Sequence, residues 1–385
     1  MAKRFLVVGA GFSGAVVAHC LATQLDCPVV VIDEREHIAG NCHTARDAAT
    51  GVMLHLYGPH IFHTNHRDVW QFVNSLATFR PYIHRIKAIN RHGVFTLPIN
   101  LHTINQFFGT TFGPSEAEAF IRGRADRSIE VPQNFEEQAL RMIGRDLYEV
   151  FFRGYTKKQW GRDPRDIPAS VLQRLPLRFS YDDNYYNSAF QGIPEEGYTA
   201  IIARLLDHRS VTVELGHKFR RADAHGAAHV FYTGPIDGYF EYVLGRLSYR
   251  TVTFERIEAE GDYQGAAQLN YTEEDVPWTR ITEHKHLRPW ETHEKTVAFK
   301  EYSKETEPSD IPYYPVRSPQ DKALLQRYYQ LAEREQGVSF LGRLATYRYL
   351  DMDTVIKEAL DFSHLAAAAI RNGEVPPKFS LNPYA

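Results

Sequence analysis

With 385 residues, 43% of them hydrophobic and 24% charged, the chain is too long for one minimal domain and too apolar for a disordered one. A formal net charge of −3 excludes a global basic field for nucleic acid or an anionic membrane, so an anionic ligand has to be caught by a local cluster of cations. No apolar run reaches the roughly 18 residues of a spanning helix, and no signal-peptide pattern is read at the start. The cysteines, Cys20, Cys27 and Cys42, suggest no disulfide framework, so a cytoplasmic protein is expected.

Arg4-Phe5-Leu6-Val7-Val8 predicts a short buried strand. Gly9-Ala10-Gly11-Phe12-Ser13-Gly14 follows, and small apolar residues from Ala15 to Ala22 suit a helix packed on a sheet. Val29-Val30-Val31-Ile32 predicts a second strand, ending on Asp33. This order is the dinucleotide-binding unit. Gly9 allows the tight turn, Gly11 lets backbone approach a pyrophosphate, and Gly14 lets the helix sit close to the strands. The helix start at Phe12 and Ser13 offers free N–H groups and a partial positive charge. Asp33 is placed to accept the ribose hydroxyls, which disfavours a 2′-phosphate. Glu34-Arg35-Glu36-His37-Ile38-Ala39-Gly40-Asn41 adds a second small-residue turn. Such a turn resembles that of flavoproteins similar to glutathione reductase and the amine oxidases, and it points to FAD.

Helical patterns are predicted over Thr103–Phe108, Pro114–Arg122 and Glu136–Tyr155, the last with Leu140, Ile143, Leu147 and Phe151 on one stripe. Gly154 to Pro164 reads as a polar loop bearing Trp160, and is expected to act as a substrate lid. Residues 176–192 and 241–316 read as strands and turns. A helix is predicted from Gly197 through Leu206, strands at Val211–Leu215, Val230–Thr233 and Val338–Arg343, and a final helix from Asp353 to about Ala369. The expected fold is α/β: a discontinuous FAD-binding Rossmann-like domain (1–80, 195–240, 335–375) with two insertions. One is helical with the lid (100–175), and the other is an antiparallel sheet domain (81–99, 176–194, 241–334).

Several stretches then resemble one family in order along nearly the whole chain. They are His55-Leu56-Tyr57-Gly58-Pro59-His60-Ile61-Phe62-His63-Thr64-Asn65, Gly154-Tyr155-Thr156-Lys157-Lys158-Gln159-Trp160-Gly161, Val276 to Lys285, Glu301-Tyr302, Pro312-Tyr313-Tyr314-Pro315, and Gly342-Arg343-Leu344-Ala345-Thr346-Tyr347. The family is bacterial UDP-galactopyranose mutase. The resemblance implies interconversion of UDP-galactopyranose and UDP-galactofuranose by covalent catalysis through N5 of reduced FAD, without net redox change. It also implies a homodimer and UDP as a bound species.

Under that resemblance Arg174 and Arg280 match a pyrophosphate pair, with Tyr314, Tyr349 and Tyr185 as hydroxyl donors. Phe151 and Tyr155 are implied at the uracil, with Phe152 packing beside the cleft. Asn270 and Asp351 are implied in the sugar-nucleotide cleft, and Trp160 over the ligand. His63 is expected beside flavin and sugar. The cofactor set comprises Gly9, Gly11, Phe12, Ser13, Gly14, Asp33, Glu34, Arg35, Gly40, Asn41, His60, Ile61, Thr233, Gly234, Arg343 and Met352. The helix start at Met352 and Asp353 is expected to favour negative charge on the reduced flavin. His60 and His63 are not expected to bind metal, because Gly58 and Pro59 argue against a regular helix. His284 and His286 read as structural. Three positions depart from the expected pattern. Ala39 stands for glycine, tolerable if φ is negative; Pro59 replaces a small residue; and His84 replaces an asparagine near the sugar. Rival readings are a flavin oxidase or desaturase of the amine-oxidase-like class, and a non-catalytic binder resembling the GDP-dissociation inhibitors.

Overall fold

Four consecutive apolar residues make Arg4–Val8 a strand that must be buried on both faces, and it lies at the centre of a five-stranded parallel sheet. The order is Val211–Glu214, Val29–Ile32, Arg4–Val8, Ala227–Tyr232, Val338–Phe340. Numbered along the chain this is 3-2-1-4-5, the doubly wound arrangement that places ligands at the carboxyl ends of the strands. The computed structural model describes residues 4–382 apart from 175 and 176, with backbone alone at 170, 173 and 174.

Helices Phe12–Leu25, Tyr198–Leu206 and Met352–Arg371 cover one face, closing a core that includes Val7, Val31 and Phe231. The other face, with Leu6, Val230 and Phe340, is covered by helix Pro319–Arg334 through Leu325, Tyr328, Tyr329 and Ala332. Residues 319–334 therefore pack on the nucleotide sheet and not, as expected, within the second sheet. Ser318 caps this helix, its hydroxyl accepting from the Asp321 amide at 3.1 Å, and Pro319 opens its first turn.

A second sheet has seven strands: Tyr314–Pro315, Tyr249–Glu260, Lys295–Glu305, Arg280–Glu283, Gln268–Tyr271, Ile86–Asn90, Gly93–Leu97. It is antiparallel as expected except where Gln268–Tyr271 runs parallel to Ile86–Asn90. Phe190–Pro194 belongs to neither sheet; it pairs with Phe62–Thr64 and Phe79–Pro81, which corrects the assignment of 176–194 to the large sheet.

The helical region holds Leu101–Phe108, Pro114–Arg124 and Phe135–Tyr148. The last is not continuous to Tyr155 as predicted. Gly144 breaks it at φ 75°, and a π-helical turn spans Glu149–Arg153. Gly154–Trp160 is then α-helical, not a loop. The predicted stripe of Leu140, Ile143, Leu147 and Phe151 does form the core here. Among the described residues no helix is long and apolar enough to cross a membrane.

Candidate active site

One cavity of about 1380 Å³ runs from the glycine turn past the end of the parallel sheet to the second sheet. Its nucleotide end is built from backbone. Gly9 has φ 106°, and a Cβ on Gly14 would lie 1.9 Å from the Gly9 carbonyl oxygen, so no side chain is tolerated there. A Cβ on Gly11 would meet nothing within 4 Å, because that side faces the cavity. The helix from Phe12 has no side-chain cap, so its first-turn amides, which no helix satisfies internally, also lack a capping side-chain acceptor. Asp33 is held in place, its Oδ2 accepting from the Ala10 amide at 2.7 Å and its Oδ1 from the Arg35 amide at 2.9 Å. Arg35 donates to Asn41 at 2.7 Å and stacks over Tyr57, and its buried Nη1 has no partner. The open side of Gly11, the bare amides and the orphaned guanidinium nitrogen fit a dinucleotide. Glu34, Gly40, Ile61, Thr233, Gly234, Arg343 and Met352 line the same space. Ala39 adopts φ 77°, so the condition of a negative φ is not met; the turn takes the left-handed form although a methyl is present.

The inner end is built from side chains. Arg280 and Glu301 face each other in register on neighbouring strands; Arg280 Nε donates to Glu301 Oε2 at 2.8 Å, and Nη2 forms an ion pair with the same oxygen at 2.7 Å. Glu301 Oε1 is buried without a partner. Burial opposes the charge on Arg280 most strongly, but Glu301 together with Tyr155 and Tyr314 outweighs it and keeps the guanidinium charged. Tyr314 stacks on Tyr349, and burial pushes the hydroxyls of Tyr155 and Tyr314 up and Tyr185 to about 12, so all stay protonated donors. The His63 ring stacks on Tyr186 at 3.8 Å, and its Nδ1 lies 3.1 Å from Ser188 Oγ. Burial lowers the His63 pKa, while Asp351 and Asp353 pull it back up. His60 is held near pKa 4 by burial, with Nδ1 against the Gly58 carbonyl at 2.8 Å, so its bare Nε2 is an acceptor. Behind it, His55 accepts the His60 amide and His284 accepts the His55 amide, both at Nδ1.

Not every expected residue reaches the cavity wall. His63, Tyr185, Arg280, Tyr314, Tyr349 and Asp351 line it. Phe151 is instead 3% exposed in the helical core, edge-on to Phe95 and Phe107, and Phe152 packs beside Phe135. Trp160 also packs against the helical core, and Gly154–Trp160 is a docked helix where a loop was expected. His84 and Asn270 lie one layer back, the latter accepting from Gln268 at 2.8 Å. Burial depresses His84 to about pKa 3, which removes a pH response in the neutral range. The side chain of Arg174 lies outside the described residues. Sequence reasoning missed Glu301 as the partner of Arg280, because the register of two strands brings them together; it also gave no role to Tyr57, which stacks under Arg35, or to Tyr186, which stacks on His63.

A family model described as UDP-galactopyranose mutase matches residues 150–349, and one described as NAD(P)-binding Rossmann-like domain matches 7–76. The chain is 53% identical to a probable UDP-galactopyranose mutase of Klebsiella pneumoniae over 98% of both chains. It is 50% identical to a dTDP-fucopyranose mutase of Escherichia coli, over 94% of this chain and 98% of that one. A crystal structure of reduced UDP-galactopyranose mutase superposes with TM-score 0.72 at 15% identity, over 98% of this chain and 99% of that one, a likeness of fold. A crystal structure described as a putative protoporphyrinogen oxidase from Exiguobacterium shares the fold at TM-score 0.65, 13% identity and 96% and 99% coverage. By whole-length identity and by the family model spanning the Arg280 strand and the tyrosine cluster, the chain belongs to the UDP-galactopyranose mutase family.

Proposed function

We propose that this enzyme interconverts UDP-galactopyranose and UDP-galactofuranose, using FAD in its reduced form and with no net oxidation or reduction. The observation that carries this reading is the continuity of the cavity: the glycine turn at one end and the Arg280, Tyr185 and Tyr314 cluster at the other open into one space. A cofactor held at the first end and a nucleoside diphosphate held at the second would meet near His60, His63 and Met352. When bound and reduced, FAD supplies a nucleophilic nitrogen for the anomeric carbon.

The chain's own residues bind, orient and hold protons. Gly9, Gly11, Phe12, Ser13 and Gly14 hold the cofactor pyrophosphate, and Asp33 and Glu34 its ribose. Arg35, Gly40, Asn41, Ile61, Thr233, Gly234 and Arg343 complete the grip. Arg280, with Arg174, binds the substrate diphosphate and stabilises it as it departs. Glu301 keeps the Arg280 fork aimed. Tyr185, Tyr314 and Tyr349 donate hydroxyl hydrogen bonds to phosphate oxygens, and Tyr155 stands at the uracil. Neutral His63 accepts from a sugar hydroxyl, and Asp351 holds another. The uncapped N-terminus of helix Met352–Arg371 favours negative charge on the reduced ring. The three free cysteines suit a reducing cytoplasm. A homodimer is carried over from the family resemblance alone.

The Escherichia coli relative favours a second substrate, dTDP-fucopyranose. The test is purified yellow protein assayed with UDP-galactofuranose and with dTDP-fucopyranose, before and after dithionite. Conversion of the first only after reduction supports the proposal. Faster turnover of the second assigns the other sugar nucleotide, and oxygen consumption without isomerisation overturns both.

A further inference from the structure

Within the Gly154–Trp160 helix, Lys158 has no part in the reading above, yet it joins the uracil side of the proposed nucleotide site, at Tyr155, to its diphosphate side, at Arg280. Its ammonium donates to three backbone carbonyls of one turn, those of Tyr271 at 2.7 Å, Val276 at 2.9 Å and Trp278 at 2.9 Å. An ammonium has three protons, so all are used. Two of the three carboxylates on that turn are engaged elsewhere, Glu274 by Lys157 and Glu273 by Arg91. The turn leads through Thr279, whose amide donates to the Glu301 carbonyl at 2.8 Å, directly into Arg280. Three residues before Lys158 on the helix is Tyr155, within the electrostatic reach of Arg280, Glu301, Tyr185 and Tyr314.

Contact between helix and turn is tight. A Cβ on Gly154 would lie 2.5 Å from the Thr272 carbonyl oxygen. At the far end of the helix, the Gln159 carbonyl accepts from Arg250 Nε at 3.1 Å and from Ser303 at 2.6 Å. Burial lowers the Lys158 pKa to about 8 against the raising fields of Asp275, Glu273 and Glu274, so the amine is mainly an ammonium at neutral pH.

We propose that Lys158 is a positioning residue that sets the separation of Tyr155 from Arg280 and so determines how tightly the enzyme holds a nucleoside diphosphate. This rests on the proposed function. The experiment is a titration of the flavin-loaded protein with UDP, alongside steady-state kinetics, for wild type, Lys158→Met, Lys158→Gln, Tyr155→Phe and the Lys158→Met/Tyr155→Phe pair. Lys158→Met should raise the UDP Kd and the sugar-nucleotide KM by about 10-fold while kcat changes by less than about 3-fold, because a misplaced binding group costs binding before chemistry. Lys158→Gln, which keeps an amide donor, should fall between. The two single effects should be non-additive in the pair. An unchanged Kd in Lys158→Met, additive effects in the pair, or failure of both Lys158 variants to fold with flavin each overturns the proposal. Absence of UDP binding in the wild type would instead remove the reading of the site itself.

Discussion

The two ends of the cavity are made of different materials. At the glycine turn the contacts come from consecutive backbone atoms, with a Gly14 Cβ position 1.9 Å from a carbonyl. At the Arg280 end they come from side chains gathered across strands far apart in sequence. Consecutive backbone cannot yield, whereas long side chains relax by rotation. The first end should therefore fail abruptly and the second by degrees.

Gly14→Ala puts that contrast at its sharpest. It should abolish folding or flavin retention, because the obstructing atom is main chain. Gly11→Ala should leave the fold intact and lose flavin. Flavin absorbance with thermal unfolding reads both, and a yellow Gly14→Ala protein of native Tm would sink the steric account. At the other end, Arg280→Ala should cut kcat/KM by about 10³ and cost about 3 kcal/mol of stability, since Glu301 is then buried uncompensated. An Arg280→Met/Glu301→Gln pair should recover Tm without turnover; recovery of both would remove Arg280 from the chemistry.

Acid sharpens the difference further. His84 and His284 sit near pKa 3 and His229 near 4 because burial disfavours their charged forms. The unfolded chain takes up those protons first, so stability is full above about pH 6.5 and declines as pH falls toward 4. The slope is about 1.4 kcal/mol per pH unit for each such histidine. Urea unfolding at pH 7, 5.5 and 4.5 measures it, and His229→Gln should flatten it; an equal slope in that variant would count against this origin. The smallest effect is expected at Ala39. Relief of its left-handed backbone by glycine, less the added freedom of the unfolded chain, should stabilise by about 0.5 kcal/mol. A lower Tm for Ala39→Gly would show that the methyl packs usefully.

The same division explains what could be read in advance. The strand, glycine turn, helix and acid were legible because each rests on neighbours in sequence. The helix at 319–334 carries a start signal in Ser318, Pro319 and Asp321, yet nothing local tells which sheet its apolar stripe covers, so sequence alone groups it with the sheet domain over 241–334. Gly154 to Pro164 looked like a loop because its glycines and charges resemble one. In the fold, Gly154 is a contact point with a neighbouring turn and Lys158 is tied to carbonyls, and neither partner is close in sequence. Arg280 was found through resemblance, but its pairing with Glu301 depends on the register of two strands, which no single segment encodes.

The wide turn at Glu149–Arg153 has one more consequence. In an unbroken α-helix Tyr155 would follow Phe151 four residues on, along the same stripe and into the helical core. A widened turn shifts the phase of everything after it, which lets Phe151 stay inside while Tyr155 comes round toward Arg280. Chain length between these two aromatics is thus a stricter requirement than the identity of the residues there. Removing a single residue from that stretch would rotate the downstream helix by about 100° and turn its tyrosine away from the guanidinium.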